Sequence, residues 1–176
     1  MQEKYLEGQG LFRAKIPRDG NCLFRAFAQG VHQDQSRQGE LRQLTVEAME
    51  RDWDVIQESV GVEDKDTYLT AMRQDKTYGG EPEIVTLCTL LGIQAVIHLE
   101  GLNCPTQRRT YGQEAEKCIQ LVYVSDGNYD SGHYDLAVHT QEEADEVNVV
   151  YDAWRAVRVR QLHHHQAYED NSTYGQ

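Results

Sequence analysis

Between Pro17 and Cys22 the chain has room for little except a tight turn. Asp19, Gly20 and Asn21 are turn formers, and Leu11 to Ile16 before them alternates apolar and polar side chains as a short edge strand does. After them Leu23, Phe24, Ala26, Phe27 and Val31 recur at three- and four-residue steps, the period of a helix with an aromatic core face. Strand, turn, cysteine, helix is the local order. It sets Cys22 at or near a helix N-terminus, where unpaired backbone N–H groups and the helix dipole favour a thiolate.

The rest of the chain alternates between helical and extended texture. Residues 36–60 fit one longer helix capped by Ser36 and stopped by Gly61, and 66–73 a short one. Tyr78, Gly79 and Gly80 interrupt the pattern before a third helical stripe, through Ile84, Leu87, Cys88 and Leu91, which ends at Gly92. Residues 93–99, 119–124 and 133–139 read as three strands. The polar stretches 100–117 and 125–132 between them read as loops, the first long enough to be kept for function. A further helix is expected over 152–162. A single domain over residues 1–162 follows, and the polar segment 163–176 is expected to be a disordered tail or linker.

With 29 acidic against 17 basic side chains in 176 residues the formal charge is −12, which argues against nucleic acid as a partner. No apolar run approaches the length of a membrane span and no secretory signal opens the sequence, so no membrane partner is expected either. The cysteines at 22, 88, 104 and 118 lack the paired short spacing of zinc or dithiol motifs. A reducing compartment is the expectation: the cytoplasm, or the host cytosol for a protein from a pathogen. The three consecutive histidines 163–165 lie beside the polar tail, and neither a metal nor a cofactor is expected.

A thiol at neutral pH is only a few per cent ionised, so a nucleophilic Cys22 needs a histidine. His133 stands on an expected strand, and Asp135 two residues later shares its face. An aspartate there accepts from one ring nitrogen, fixes the tautomer and leaves the other nitrogen for the sulfur. Tyr134 and Leu136 point the other way, into packing. The turn before Cys22 supplies backbone N–H groups, those of Asp19 and Cys22, for the oxyanion of a tetrahedral intermediate.

The run Asp19-Gly20-Asn21-Cys22-Leu23-Phe24-Arg25-Ala26 resembles the nucleophile segment of the ovarian tumour (OTU) family of cysteine proteases. Tyr78-Gly79-Gly80-Glu81 resembles the family's aromatic-Gly-Gly segment, with Tyr where many members carry Trp, and Gly132-His133-Tyr134-Asp135-Leu136 resembles its histidine strand. The likeness covers about residues 10–140. It implies an α/β (α+β), papain-like OTU fold with a small central sheet packed between helices. By position it makes Cys22 the nucleophile, His133 the base and then acid, and Asp135 the orienting carboxylate. Asp19 joins the catalytic set through its backbone at the oxyanion hole, its side chain being structural. Gly20 and Asn21 in the turn, and Gly79, Gly80 and Tyr134 as channel walls, are the substrate-binding residues it implies.

The activity implied is hydrolysis of isopeptide or peptide bonds after the C-terminal glycine of ubiquitin through a thioester, with ubiquitin or polyubiquitin chains as partners and ubiquitin-like proteins as a wider class. Two alternatives stay open at this point. One is a ubiquitin-binding module with weak catalysis, the other a thiol protease acting on a polyprotein.

Overall fold

The computed structural model describes residues 2–62, 64–100, 107–125 and 132–172. Its centre is a five-stranded mixed sheet in the order β1-β5-β4-β2-β3, built from β1 (Phe12–Ala14), β2 (Gln94–Glu100), β3 (Gln107–Tyr111), β4 (Cys118–Ser125) and β5 (Gly132–Val138). β2 and β4 run parallel, and the other three pairings are antiparallel. Seven α-helices surround it among the described residues: α1 (Gln2–Gly8), α2 (Cys22–His32), α3 (Gln38–Arg51), α4 (Trp53–Val60), α5 (Lys65–Arg73), α6 (Glu81–Leu91) and α7 (Gln141–Ser172). This is the α+β arrangement implied by the sequence, a small sheet between helices.

Side-chain alternation divides the sheet into two faces. Ile119 and Leu121 of β4 and Tyr134 and Leu136 of β5 join the large core with Phe24 and Phe27 of α2, Met49 of α3 and Ile84 and Leu87 of α6. Val122 and Ala137 belong to the other face, where Leu6 of α1 and Leu11 close a smaller cluster. Burying a side chain the size of Leu6 contributes about 2 kcal/mol, and α1 adds polar anchors to it. His98 meets the Tyr5 hydroxyl through Nδ1 (3.1 Å) and donates from Nε2 to Gln120 Oε1 (2.7 Å), although the residue is almost wholly buried.

Several boundaries differ from those expected of the sequence, each for a physical reason. The edge strand is shorter, Phe12–Ala14. The helix expected over 36–60 is divided at Asp52 into α3 and α4 and is preceded by a 3-10 turn (Gln35–Arg37), whose cap is Asp34 rather than Ser36: Asp34 Oδ1 accepts from Ser36 N at 3.0 Å. β3 lies inside the expected loop 100–117. Gln107, Arg108, Arg109 and Thr110 are all exposed, so an edge strand with no buried face shows no alternation to detect. α1 has too few apolar residues to show a helical stripe. α7 begins well before residue 152 and continues through the segment expected to be disordered, ending at Ser172. That segment holds neither Pro nor Gly before its end, so nothing in it breaks a helix that Ala144 and Val147 have already docked. Residues 101–106 and 126–131 of the two loops, Cys104, residues 173–176 and the side chains of His163 to His165 lie outside the described residues. None of the described helices is long and apolar enough to cross a membrane.

Candidate active site

Cys22 is the first residue of α2 and its side chain is 1% exposed. The turn before it is held by its own side chains. Asp19 Oδ1 accepts from the Asn21 N–H (3.0 Å), and Asp19 Oδ2 accepts from Arg25 Nε (3.0 Å) and Nη2 (2.7 Å), one turn into the helix. Asn21 is turned inward and buried. Its amide donates to Asp75 Oδ1 (2.9 Å), while its oxygen accepts from Arg42 Nη2 (2.7 Å) and from the Lys76 N–H (2.9 Å). Arg42 comes from α3, donates also to the Met72 carbonyl (3.0 Å) and stacks its guanidinium 4.3 Å from the centre of the Phe24 ring. Burial lowers its pKa, and the carboxylates of Asp75, Glu83 and Asp19 oppose that.

Two glycines allow this packing. Gly20 has φ +83, and a Cβ on it would lie 2.1 Å from the Lys76 carbonyl oxygen. A Cβ on Gly79 would lie 2.7 Å from Leu23 Cδ2 and 3.3 Å from the Phe24 ring, so its absence lets the 78–80 segment run against the start of α2. Gly80 then caps α6, and its N–H donates to Glu83 Oε2 (2.8 Å). Glu83 is buried and receives the Tyr68 hydroxyl; burial pushes its carboxyl up, against that hydroxyl and the Gly80 N–H.

His133 and Asp135 come from β5, on the face that carries α1, and both are buried. His133 Nε2 donates to Asp135 Oδ1 at 2.7 Å. The same oxygen accepts the Ile16 N–H (2.8 Å), and Oδ2 accepts from Arg13 Nη1 (3.1 Å). With Nε2 committed to a carboxylate, the neutral ring carries its proton there and presents Nδ1 as a base. Nδ1 is buried without a hydrogen-bond partner among the described residues. The Cys22 thiol lies beside it and raises the imidazole through side-chain hydrogen bonding as well as through charge, although the approach falls short of full hydrogen-bond geometry. Tyr134 faces the helical core on the other side of β5, with its ring 4.9 Å from that of Tyr123.

The electrostatics follow from this geometry. Burial lowers the pKa of His133, but the hydrogen bond and charge of Asp135, together with Cys22, outweigh it and raise the imidazole to about 9. Burial raises the carboxyl of Asp135, and His133, the Ile16 N–H and Arg13 outweigh that and bring it below the usual range. An imidazole whose pKa is higher folded than unfolded adds stability in full below about pH 6.5, and that stability is lost as pH rises through about 9. The heat-unfolding midpoint is therefore expected to fall by roughly 3–6 °C between about pH 6.5 and 9.5. Asp135→Asn is expected to abolish that fall; a wild-type midpoint flat over the interval would contradict the assignment.

The sequence-derived residues thus meet in one place: Cys22, its Asp19-Gly20-Asn21 turn, the Gly79-Gly80 segment and the His133–Asp135 pair. Arg13, the Ile16 N–H, Arg42 and Asp75 were not visible in the sequence. Arg13 carries the one available signal, a charged residue inside a short apolar strand. A separate cleft of about 550 Å³ lies at the far end of α2 and β5, between Gly30, Ile119, Val138 and Val147, and does not include Cys22 or His133.

Comparison with known proteins bears on what this constellation belongs to. Residues 17–134 match the family model of the OTU-like cysteine protease, which is most of the chain. The chain is a member of that family. The OTU domain-containing protein 1 of Mus musculus is 31% identical over 140 residues, covering 74% of this chain and 30% of that protein. The Arabidopsis thaliana protein called OVARIAN TUMOR DOMAIN-containing deubiquitinating enzyme 6 is 38% identical over 108 residues, or 61% of this chain and 19% of that one. The chain therefore spans less than a third of these relatives. The solved OTU domain of OTUD1 superposes with a TM-score of 0.68 at 31% identity, covering 78% of this chain and 91% of that domain. All three share an OTU domain with this chain, and the matched residues 17–134 include the whole of α2 and the first three residues of β5, His133 among them, and stop short of Asp135.

Proposed function

We propose that this OTU domain is a deubiquitinase, with Cys22 as nucleophile, His133 as base and acid, and Asp135 as the carboxylate that orients the imidazole. The observation that carries the reading is the committed ring of His133: Nε2 on Asp135 at 2.7 Å, and Nδ1 left open beside a thiol at a helix start that raises the ring by hydrogen bonding and charge. Family membership and a relative named as a deubiquitinating enzyme point to the same substrate class.

In the proposed reaction Cys22 has already given its proton to His133 Nδ1, as the raised imidazole pKa favours, and the thiolate adds to the carbonyl carbon of the final glycine of ubiquitin. The oxyanion so formed accepts N–H groups of the turn and the first turn of α2, Cys22 among them. The imidazolium returns its proton to the departing lysine amine as the C–N bond breaks, leaving a thioester. Water, deprotonated by His133, then adds to the thioester, and the thiol leaves to regenerate the enzyme. Asp135 stays ionised throughout and stabilises the imidazolium. Gly20, Asn21, Gly79 and Gly80 are proposed as the walls along which the substrate tail threads, whereas Tyr134, expected among them, is buried in the helical core against Tyr123 and packs there instead. The Asn21 side chain is engaged inside the protein, so its contribution is through the backbone.

The test is covalent capture by ubiquitin bearing a C-terminal electrophile. A single adduct, mapped to Cys22 and absent in Cys22→Ala and in His133→Ala, is expected. Tight binding of ubiquitin without an adduct would instead indicate a binding module, and cleavage confined to unrelated peptides a protease of different specificity.

A further inference from the structure

Asp135 does not depend on His133 alone for its orientation. In the register of β1 against β5, Arg13 lies opposite Ala137, which puts Asp135 at the diagonal position on the same face, within reach of a long side chain. Arg13 Nη1 donates to Asp135 Oδ2 at 3.1 Å, and Arg13 Nε stands 2.8 Å from Glu3 Oε1 of α1. The Arg13 side chain is 15% exposed and that of Asp135 5%, whereas Glu3 is 63% exposed, so the inner pair is shielded and the outer one is screened by solvent. α1 is also anchored beside this pair by Leu6 and by the Tyr5 contact with His98.

We infer that Arg13 is a positioning residue of the hydrolase: it holds Asp135 Oδ2 so that Oδ1 remains aimed at His133, and Glu3 ties this hold to α1. The inference rests on the reading of Cys22 and His133 as nucleophile and base. The physical need is plain. A carboxylate with one oxygen unpartnered in a buried site rotates or takes a proton, and a protonated Asp135 no longer stabilises an imidazolium. The groups facing Asp135 are His133 on its own strand, the Ile16 N–H and Arg13 from β1 and its continuation, with Glu3 behind Arg13; Cys22 acts through the imidazole. Of these Arg13 is the one permanent cation, so it is the group that keeps the carboxylate charged when His133 is neutral, as it is in the thioester stage before it deprotonates water.

The experiment measures the rate of Cys22 alkylation by iodoacetamide across about pH 5.5–8, together with kcat and KM on a fluorogenic ubiquitin amide. The proteins are wild type, Arg13→Gln, Arg13→Lys, Asp135→Asn and the double variant Arg13→Gln/Asp135→Asn, with heat unfolding as the control for folding. Arg13→Gln is expected to lower both the alkylation rate at about pH 6 and kcat by about tenfold, with KM within about twofold, and to move the acid limb to higher pH. Arg13→Lys is expected to stay within about threefold of wild type. In the Asp135→Asn background Arg13→Gln is expected to cost less than about twofold, because a residue acting through Asp135 has nothing left to act on. An equal loss in both backgrounds, or no loss in either, overturns the inference. Should Arg13→Gln fail to fold, Arg13→Lys decides: a folded Arg13→Lys as impaired as Asp135→Asn also overturns it. Alkylation needs no ubiquitin, so an absence of ubiquitin hydrolysis by the wild type would sink the proposed function while these rates still decide the role of Arg13.

Discussion

Cys22→Ala is expected to reduce hydrolysis of a ubiquitin amide by at least about 10⁴-fold, leaving little beyond what binding alone supplies. The loss is that large because no other group replaces the sulfur. Of the described cysteines, Cys88 is buried in the core, its thiol pushed up to about 11 mainly by burial, and Cys118 lies at the start of β4, away from His133. Stability should change little by comparison. Removing one sulfur from a buried site costs about 1 kcal/mol, and its approach to His133 falls short of full hydrogen-bond geometry, so little is added to that cost. His133→Ala should match Cys22→Ala in turnover, since the two act as a unit and their effects do not add. The measurement is kcat/KM for both single variants and the pair, alongside heat unfolding. A Cys22→Ala protein retaining a tenth of wild-type turnover would exclude the thiol mechanism.

Gly20→Ala is expected to destabilise the domain by about 3 kcal/mol or more and to lower activity further than the loss of folded protein explains. Two costs combine. At φ +83 an L-residue pays about 1–2 kcal/mol of backbone strain, and a Cβ at 2.1 Å from the Lys76 carbonyl oxygen forces backbone apart rather than a flexible side chain. The shift would part the turn from the 75–76 segment that Asn21 holds, and so displace Cys22 itself. Gly39 provides the contrast: it lies within α3 with nothing within 4 Å of an added Cβ, so Gly39→Ala should stabilise the protein by about 0.5–1 kcal/mol. Urea unfolding of the two variants against wild type tests both signs. Equal midpoints for Gly20→Ala and wild type would mean that the turn adapts freely and that its contact with Lys76 does not fix the position of Cys22.

Much of the candidate site is legible because it is local. The turn residues 19–21, the cysteine after them and the i, i+2 spacing of His133 and Asp135 are patterns within a few residues, and the strand and helix periods place them without tertiary information. What supports them is not local. Arg42 reaches Asn21 across 21 positions and Arg13 reaches Asp135 across 122, and an isolated arginine in a helix or a short strand gives no sign of what it will meet. β3 and α1 escape for a related reason. The first is an exposed edge with no apolar face and the second is short, with Leu6 as its one fully buried anchor, so each is formed by docking more than by its own pattern. The length of α7 shows the opposite failure: a segment without a core pattern still continues a helix when nothing in it interrupts the backbone hydrogen bonds.

β1 has three residues and pairs on one side only. Short marginal strands of that kind are where a native protein first frays, at a free-energy cost well below that of global unfolding. Because this strand and Ile16, two residues beyond it, supply both the guanidinium and the amide that steady Asp135, the proposed catalytic pair inherits the resilience of the sheet's weakest margin rather than that of its core. Mild denaturation should therefore silence the enzyme while most of its tertiary structure is still in place.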